Sequence, residues 1–456
     1  MRNGCCAFCL VSTAVGLAGC NAAGERRSEA AAVGDKRITA HAYDSGFPLS
    51  HDSYNAISVA SNGNVYYVLS TDSVDTGAAT FRFNPSTRKI DRLGDLTEVC
   101  GEKGMKAIPQ GKSHVSFRES NGKLYFATHI GYYTIRDDME TMGVPPPGYK
   151  PYPGGHFLAY DLSTGQFENL AIAPKGEGII TMNMDKTRGR LYGITWPSSY
   201  FIRYDLARKE LRNLGPVAGK GESGKGSSYE TICRSLAIDP HDGSVFFTNS
   251  AGSIFQYQYV TDSISQVPGE SLVGLFRRVR SALVRQYGLQ LAPDSLIRPG
   301  RAIYGVHRNS GYLFRVDPVA GRAEELDRIT SLPSQRSGMF DEFSYGYLGF
   351  ALGCDGHTLH YLTGGPVYEN GHRLAGKTPT AKGESKGIED LHLITYDIAA
   401  SRYADNGAIF LENGDRPAYV NSVAVGRDGT VYTLSRVTKH GAVHGDLISF
   451  PGPLAK

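Results

Sequence analysis

The segment that decides the fold runs from His114 to His129 and reads HVSFRESNGKLYFATH. Short segments rich in apolar and aromatic residues flank Asn121-Gly122, which predicts two antiparallel strands joined by a tight turn. Residues 156–171, HFLAYDLSTGQFENLA, carry a second such pair of segments around the polar turn Ser163-Thr164-Gly165. Together the two hairpins predict a unit of four strands.

The four-strand unit recurs along the chain at a spacing of tens of residues. The other copies of its first hairpin are NAISVASNGNVYYVLS (55–70), GIITMNMDKTRGRLYGITW (178–196), RSLAIDPHDGSVFFTN (234–249), a degraded copy ending in RAIYGVH (301–307), YLGFALGCDGHTLHYLT (347–363) and NSVAVGRDGTVYTLSR (421–436). Seven four-stranded units, none able to form its own core, predict an all-β, seven-bladed β-propeller.

The two ends of the repeat region indicate how the ring closes. The seventh copy stops after its third strand, and RITAHAY (37–43) precedes the first copy. We therefore expect this N-terminal strand to complete the last blade. One inserted element interrupts the repeats: SLVGLFRRVRSALV (271–284) places its apolar residues on one helical face, which predicts an amphipathic helix that covers the propeller or lies on a membrane surface.

The first 36 residues carry an export signature. Residues 1–19 combine one arginine with a short apolar run and read as a signal peptide. Leu17-Ala18-Gly19-Cys20 resembles the bacterial lipoprotein cleavage box, which implies a lipidated Cys20, a flexible tether over 20–36 and the propeller over 37–456. We expect an exported lipoprotein anchored in the periplasm or at the outer membrane, with a plain secretory signal as the alternative.

Composition narrows the classes of function. A formal net charge of +3 with both signs scattered along the chain argues against a nucleic-acid partner. After export, Cys100, Cys233 and Cys354 remain, too far apart for a disulfide framework or a zinc ribbon, so buried free thiols are expected, with a single disulfide as the alternative. The glycine-rich GKGESGKG (219–226) approaches a P-loop, but Gly226 stands where Ser or Thr would hold magnesium.

Polar residues recur at one end of the predicted inner hairpins. In a propeller the start of each innermost strand and the end of each second strand converge on one face of the channel, where binding sites usually lie. The first set is Asn55, His114, Arg234, Arg285 and Asn421, and the second is His129, Trp196, Asn249, His307 and Arg436. We expect this rim to be a binding or catalytic site.

The alternatives for single rim residues stay open. A histidine at a strand end can be a purely structural residue, and Trp196 could be either a sugar-stacking platform or a loop anchor. The sequence specifies no cofactor, although His114, His129 and His307 could together hold a divalent metal ion.

Taken with these residues, the chain resembles the seven-bladed propellers among bacterial polysaccharide lyases, which include ulvan lyases, rhamnose-glucuronate lyases and metal-using oligogalacturonate lyases. The resemblance lies in GKSH (111–114), ATHIGYY (127–133), GGHFLAYDL (154–162) and CRSLA (233–237). It implies cleavage of an anionic, uronate-containing polysaccharide or oligosaccharide by β-elimination.

Such a reaction needs a cation for the uronate carboxylate, a base for the C5 proton and an acid for the departing oxygen. The resemblance assigns the carboxylate to Arg234 and the proton transfers to His114 and His129, in either order, with Tyr345, Tyr132 or Tyr133 as a tyrosine partner. Arg336 could contact sugar hydroxyls or sulfate, alongside Asn55, Trp196, His307 and Asn421 as substrate-binding residues.

Two other classes of function compete with the lyase. One is a metal-dependent propeller hydrolase or lactonase, whose channels usually carry Asp, Glu and Asn ligands rather than His and Arg. The other is a non-catalytic glycan-binding or scaffold lipoprotein, in which the same rim recognises anionic sugar and membrane contact is through the lipid anchor only.

Overall fold

The computed structural model describes residues 36–52, 54–136, 139–269, 271–272, 287–291, 302–307, 311–337, 349–364, 368–369, 372–373, 390–439 and 441–454. This part of the chain is nearly all β. Its helices are short: α1 (Leu96–Val99), α2 (Leu332–Ser337) and three 3₁₀ turns, Pro174–Gly176, Gly221–Ser223 and Gly226–Ser228. No helix among the described residues has the length and apolar character needed to cross a membrane.

Five sheets contain four strands each. In chain order they are β2 (Ile57–Val59), β3 (Val65–Leu69), β4 (Ala79–Asn84) and β5 (Lys89–Asp95); β6 (Arg118–Ser120), β7 (Lys123–Ala127), β10 (His156–Asp161) and β11 (Phe167–Ile172); β12 (Gly178–Asp185), β13 (Arg190–Trp196), β14 (Tyr200–Asp205) and β15 (Glu210–Pro216); β16 (Ala237–Ile238), β17 (Val245–Thr248), β18 (Ile254–Gln258) and β19 (Ser263–Gln266); and β20 (Tyr287–Leu291), β21 (Ile303–His307), β22 (Tyr312–Asp317) and β23 (Arg322–Arg328). Adjacent strands within each sheet are antiparallel.

The remaining long strands form one eight-stranded sheet. Its strands, from one edge to the other, are β24 (Phe350–Leu352), β25 (Thr358–Thr363), β28 (His392–Asp397), β29 (Arg402–Leu411), β1 (Arg37–Ala42), β32 (Ala442–Pro451), β31 (Thr430–Lys439) and β30 (Ala424–Val425). Two short hairpins lie outside these sheets: β8 (Tyr133–Arg136) with β9 (Met139–Met142), and β26 (Tyr368–Glu369) with β27 (His372–Arg373).

The N-terminal strand joins the two ends of the chain, as the repeat pattern predicts. His41 and Ala42 pair antiparallel with Ser449 and Ile448 of β32. Arg37–Ala40 also pairs parallel with Ala408–Leu411 of β29, which merges what would otherwise be two four-stranded sheets. Pairing between the first and last strands removes two exposed sheet edges at once.

The first strands of the sheets surround a central channel. β16 contacts β12 and β20, β20 contacts β24, and β30 contacts β2. A cavity of about 740 Å³ lies between them and is lined by residues from six of these segments: Asn55, His114, Thr181, Arg234, Phe350 and Val423 are examples. The sheets therefore stand radially around the channel, which is the arrangement of a β-propeller.

The core lies between neighbouring sheets because each sheet buries apolar residues on both faces. Aromatic rings make many of these contacts. Tyr66 of one sheet lies 5.9 Å from Tyr160 of the next, and Phe157 lies 6.4 Å from Tyr204 of the third, between ring centroids. Buried aromatic pairs of this kind hold the sheets together without a single central core.

The inner strands are shorter than the sequence pattern predicts. β6 begins at Arg118, so His114 lies in extended chain before the strand, and Asn55, Arg234 and Asn421 likewise precede β2, β16 and β30. The Asn121-Gly122 turn forms as expected, with φ of 50° and 72° at the two residues. Cys100 and Cys233 are buried free thiols, but Cys354 is exposed because it lies in the turn between β24 and β25.

Several predictions lie outside the described residues. They are the signal peptide, Cys20 and its tether up to residue 35, nearly all of the 271–284 helix, Arg285 and Tyr345. Arg336 belongs to α2, although its side chain is outside the described part.

Candidate functional site

Two histidines meet at one mouth of the channel. The ring centroids of His114 and His129 are 4.7 Å apart, and the ring of His114 also lies 4.2 Å from that of Tyr54. His114 is half-buried and lines the cavity, whereas His129 is completely buried. The two imidazoles therefore form an inner and an outer layer of the same cluster.

Glycines make this meeting possible. Gly111 and Gly131 lie so close together that a Cβ on Gly111 would be 2.6 Å from the Gly131 Cα and from the Thr71 carbonyl oxygen. This close approach lets Lys112 and His129 pair as an isolated bridge, with N–O distances of 3.0 and 2.8 Å. The glycines of GKSH and THIG are thus packing residues that place Lys112 and His129 at the mouth.

His129 is held in one neutral form. Its Nδ1 lies 3.0 Å from the Ile130 carbonyl oxygen, which can only accept, so Nδ1 carries the hydrogen and Nε2 has the lone pair. Burial lowers the pKa of His129 to about 3, and the nearby cations Lys112 and Arg234 act in the same direction. The direction of this shift favours the neutral imidazole at neutral pH, and the assignment of His129 as base or acid stays a prediction.

A chain of polar contacts runs from Lys112 towards the last sheet. The Lys112 ammonium donates to the Tyr54 hydroxyl at 2.6 Å, and Tyr54 donates to Asp52 at 3.2 Å. Asp52 in turn forms a buried ion pair with Arg436. Burial, followed by the charges of Tyr419 and Asp52, raises the pKa of Tyr54 well above its usual value, so its phenol stays protonated.

Arg234 reaches the mouth from another sheet and is held by Glu222. Its Nη2 lies 2.8 Å from one Glu222 oxygen, while Trp196 Nε1 donates to the other at 2.9 Å. The Trp196 ring is 5.4 Å from that of His129. Glu222 therefore connects the guanidinium to the histidine cluster through the indole.

Glu222 comes from the glycine-rich segment GKGESGKG, whose role the sequence did not reveal. Gly221 has a φ of 58°, and any Cβ there would collide with the Pro197 carbonyl oxygen. The segment therefore needs glycine to fold tightly against the Trp196-Pro197 loop and present Glu222. The unusual glycine spacing was the available signal, although it indicates a tight turn rather than a phosphate site.

The other predicted site residues differ in how deeply they are buried. Asn55 is half-buried and lines the cavity. Trp196, His307 and Asn421 are buried, with 3%, 1% and 0% of their surfaces exposed, so Trp196 is an internal anchor and offers no open face for stacking a sugar. The two tyrosines after His129 both pack against the apolar cluster that contains Trp196, and the Tyr133 hydroxyl also lies 3.3 Å from His129 Nδ1.

The histidines of the mouth do not form a metal site within the described residues. Metal coordination needs three ligand atoms close together, and His114, His129 and His307 do not meet this condition. The one described group that does is Asp44, His444 and Asp446, with ligand atoms within 4.8 Å of one another. A cation already lies there, since the Lys439 ammonium is 3.6 Å from Asp446.

Comparison with known proteins supports the fold. No protein-family model matches the chain, and no curated protein matches it. Among solved structures, a chain of the mitotic checkpoint complex has a TM-score of 0.50 at 9% identity, covering 90% of this chain and 94% of that one.

Two further matches have lower TM-scores. A β-propeller domain of Cps50 (Swd1) from Myceliophteria thermophila has a TM-score of 0.48 at 8% identity, covering 86% of this chain and 96% of that one. An oligogalacturonate lyase in complex with manganese has a TM-score of 0.47 at 11% identity, covering 92% and 98%. At such identities the similarity concerns the fold alone.

Proposed function

We propose that this chain is a polysaccharide lyase that cleaves uronate-containing glycans by β-elimination at the channel mouth. The observation that supports the proposal is the convergence of an arginine, a half-buried histidine and a protonated tyrosine: Arg234, His114 and Tyr54. His114 and Arg234 line one cavity, and the Tyr54 ring packs against that of His114 at a tilt of 50°. These three groups match the cation, base and acid that the elimination requires.

Arg234 is the proposed partner of the uronate carboxylate. Neutralising that carboxylate makes the neighbouring C5 proton more acidic, and a guanidinium can do this through parallel hydrogen bonds. Glu222 already occupies one edge of Arg234. The substrate carboxylate would therefore share the guanidinium with Glu222, and Lys112 would add positive charge nearby.

His114 is the proposed base and Tyr54 the proposed acid. His114 takes the C5 proton, the electron pair forms the C4–C5 double bond, the C4–O4 bond breaks, and Tyr54 protonates the departing oxygen. Lys112, 2.6 Å from the Tyr54 hydroxyl, would stabilise the resulting phenolate. His129 stays neutral throughout and positions the outer imidazole, so Tyr54 replaces both His129 and Tyr345 as the proposed acid.

The test is incubation of the purified chain with a panel of uronate polysaccharides. Elimination yields an unsaturated uronate that absorbs in the ultraviolet, whereas hydrolysis yields new reducing ends without that absorbance. His114→Ala should lower kcat by about 10²–10⁴-fold, with thermal unfolding nearly unchanged. His357→Ala, which changes a half-buried histidine in the turn between β24 and β25, should keep full activity.

Two outcomes would count against the mechanism. Reducing ends without ultraviolet absorbance would identify a hydrolase. Full activity of the His114→Ala variant would remove the proposed base, even if elimination is observed.

A second candidate is a non-catalytic glycan-binding protein. It is favoured by the arrangement of Arg234, which is fixed by Glu222 as a recognition group would be, and by the permanent neutrality of His129. Binding of uronate oligosaccharides that is lost in Arg234→Ala, without turnover of any substrate in the panel, would select this alternative.

We further infer that the sheets form seven blades, with the eight-stranded sheet counted as two that β1 joins. We also propose that the chain is exported and anchored by lipid on Cys20. Incorporation of labelled palmitate that disappears in Cys20→Ala tests the anchor, and a soluble, unlabelled wild-type chain would contradict it.

A further inference from the structure

Three cationic side chains line the channel cavity: Arg118, Lys186 and Arg234. Only Arg234 has a carboxylate partner among the described residues, namely Glu222. Arg118 and Lys186 form no ion pair within the described part of the chain, and the Nε of Arg118 is buried without a hydrogen-bond partner there. The channel wall thus carries two cations without an ion pair among the described residues, a half-buried Arg118 and an exposed Lys186.

The two acidic residues that line the cavity, Glu119 and Asp185, have other partners. Glu119 accepts from the Ser61 backbone N–H at 2.7 Å and also bonds the Ser61 hydroxyl. Asp185 accepts from the Arg188 backbone and pairs with the Arg188 guanidinium at 3.0 Å. Asp185 is therefore paired with another cation, and Glu119 is held by Ser61 without an ion pair to Arg118 among the described residues.

Arg118 and Lys186 repel each other because both side chains are positively charged. Burial lowers the pKa of Arg118 to about 10, and burial together with the charge of Arg118 lowers the pKa of Lys186, while the charge of Glu119 acts in the opposite direction. A concave, partly desolvated wall that carries one sign of charge attracts counter-ions strongly. A bound anion would offset the cost of desolvating the Arg118 guanidinium without a partner, and Lys186 would add charge from its exposed position.

We propose that Arg118 and Lys186 form an anion-binding subsite inside the channel, which takes a carboxylate or sulfate group of an acidic glycan. The glycan part of this proposal rests on the proposed function. Arg118 lies four residues beyond His114, so the subsite is at most about 14 Å along the chain from the mouth. It would hold an acidic sugar different from the one at Arg234, which selects substrates with several acidic groups.

The subsite predicts that replacing Arg118 stabilises the protein when no anion is bound. Arg118→Met removes an uncompensated cation, so it should raise the melting temperature in an anion-poor buffer and abolish stabilisation by sulfate. For the wild type, sulfate at a hundredfold excess over its Kd should raise Tm by about 2–4 °C, relative to chloride at the same ionic strength. Arg322→Met, which changes an exposed arginine, should respond to sulfate as the wild type does.

The second measurement separates the two sources of the anion. Calorimetric titration with inorganic sulfate and with a uronate oligosaccharide should show binding of both, weakened at least tenfold by Arg118→Met and several-fold by Lys186→Met. Binding of sulfate alone would overturn the glycan assignment. Unchanged binding in Arg118→Met, or a lower Tm of that variant in anion-poor buffer, would overturn the subsite itself.

These readouts do not depend on turnover. If the subsite binds both anions but no uronate polysaccharide is cleaved, the lyase proposal fails and the subsite stands. If cleavage occurs and Arg118→Met leaves sulfate binding unchanged, the reverse holds.

Discussion

Two buried histidines of this molecule, His129 and His392, differ in their protonation state at neutral pH. His129, at the channel mouth, is completely buried, and His392, at the start of β28, is 6% exposed. Burial alone would lower the pKa of both. Yet the pKa of His129 is lowered to about 3, whereas Asp390 and Asp405 overcome the effect of burial and raise the pKa of His392 to about 9.

The difference follows from the neighbours rather than from depth. His392 Nδ1 lies 2.9 Å from Asp405, and its Nε2 lies 3.7 Å from Asp390. His129 has a backbone carbonyl, a tyrosine and two cations around it, and no carboxylate contacts it within the described residues. At neutral pH one imidazole is therefore a cation that stabilises the fold, and the other is a neutral group within the candidate site.

The largest loss of stability is expected from removing the main carboxylate of His392. Asp405→Ala would leave a buried imidazolium without its partner and would also free the Leu332 and Gly407 backbone N–H groups. We expect the free energy of unfolding at pH 7 to fall by about 3–5 kcal/mol, measured by urea denaturation. Asp72→Ala, at an exposed carboxylate, is the control; an equal loss there would show that burial of the pair is irrelevant.

The neutral state of His129 predicts that the protein loses stability at acidic pH. Its folded pKa lies below the unfolded value of about 6.5, so the unfolded chain binds more protons and stability falls as the pH drops from about 6.5 towards 3. By pH 4.5 the loss attributable to this group is about 2–3 kcal/mol.

His129→Gln cannot take up the proton and should lose correspondingly less stability than the wild type between pH 6.5 and 4.5. The measurement is urea denaturation of both proteins at a series of pH values. Parallel pH profiles would mean that His129 is solvated or has an unseen anionic partner.

The fold was largely readable from the sequence because its determinants are local. Asn121-Gly122 forms the predicted turn, and β1 pairs with β32 as the incomplete seventh repeat indicates. Alternation within a strand and the chemistry of its turn depend on a few adjacent residues, so each repeat carries its own signal. The position of His114 beside His129 followed from the same superposition of repeats.

The burial of His129 and the position of Glu222 could not be predicted from the repeats. A repeat shows at which end of a strand His129 lies, but its depth depends on the close packing of Gly111 and Gly131, far apart in sequence from Thr71. Glu222 was missed because a carboxylate in a glycine-rich loop has no preferred direction until Gly221 packs against Pro197. Long-range packing of irregular segments sets both properties.

The cation at His392 can be tested without altering its partners. The folded pKa of about 9 exceeds the unfolded value, so the stabilisation is complete below about pH 6.5 and is lost as the pH rises through 9. Between pH 6.5 and 8.5 the wild type should lose about 2 kcal/mol that His392→Gln, already destabilised, does not lose. Urea denaturation at the two pH values measures it, and equal slopes for both proteins would place the proton elsewhere.

The smallest effect is expected where the mouth carries its own ion pair. Glu222→Gln removes the negative charge from Arg234 while keeping an acceptor for Trp196 Nε1. Because the pair is partly buried, the stability cost should be only about 1 kcal/mol. The freed guanidinium should bind an anionic glycan more tightly, so KM or Kd for uronate oligosaccharides should fall several-fold while Tm decreases slightly. A weaker affinity in Glu222→Gln would mean that Glu222 positions Arg234 rather than competing for it, and that the mouth, like His392, depends on a carboxylate to hold its cation.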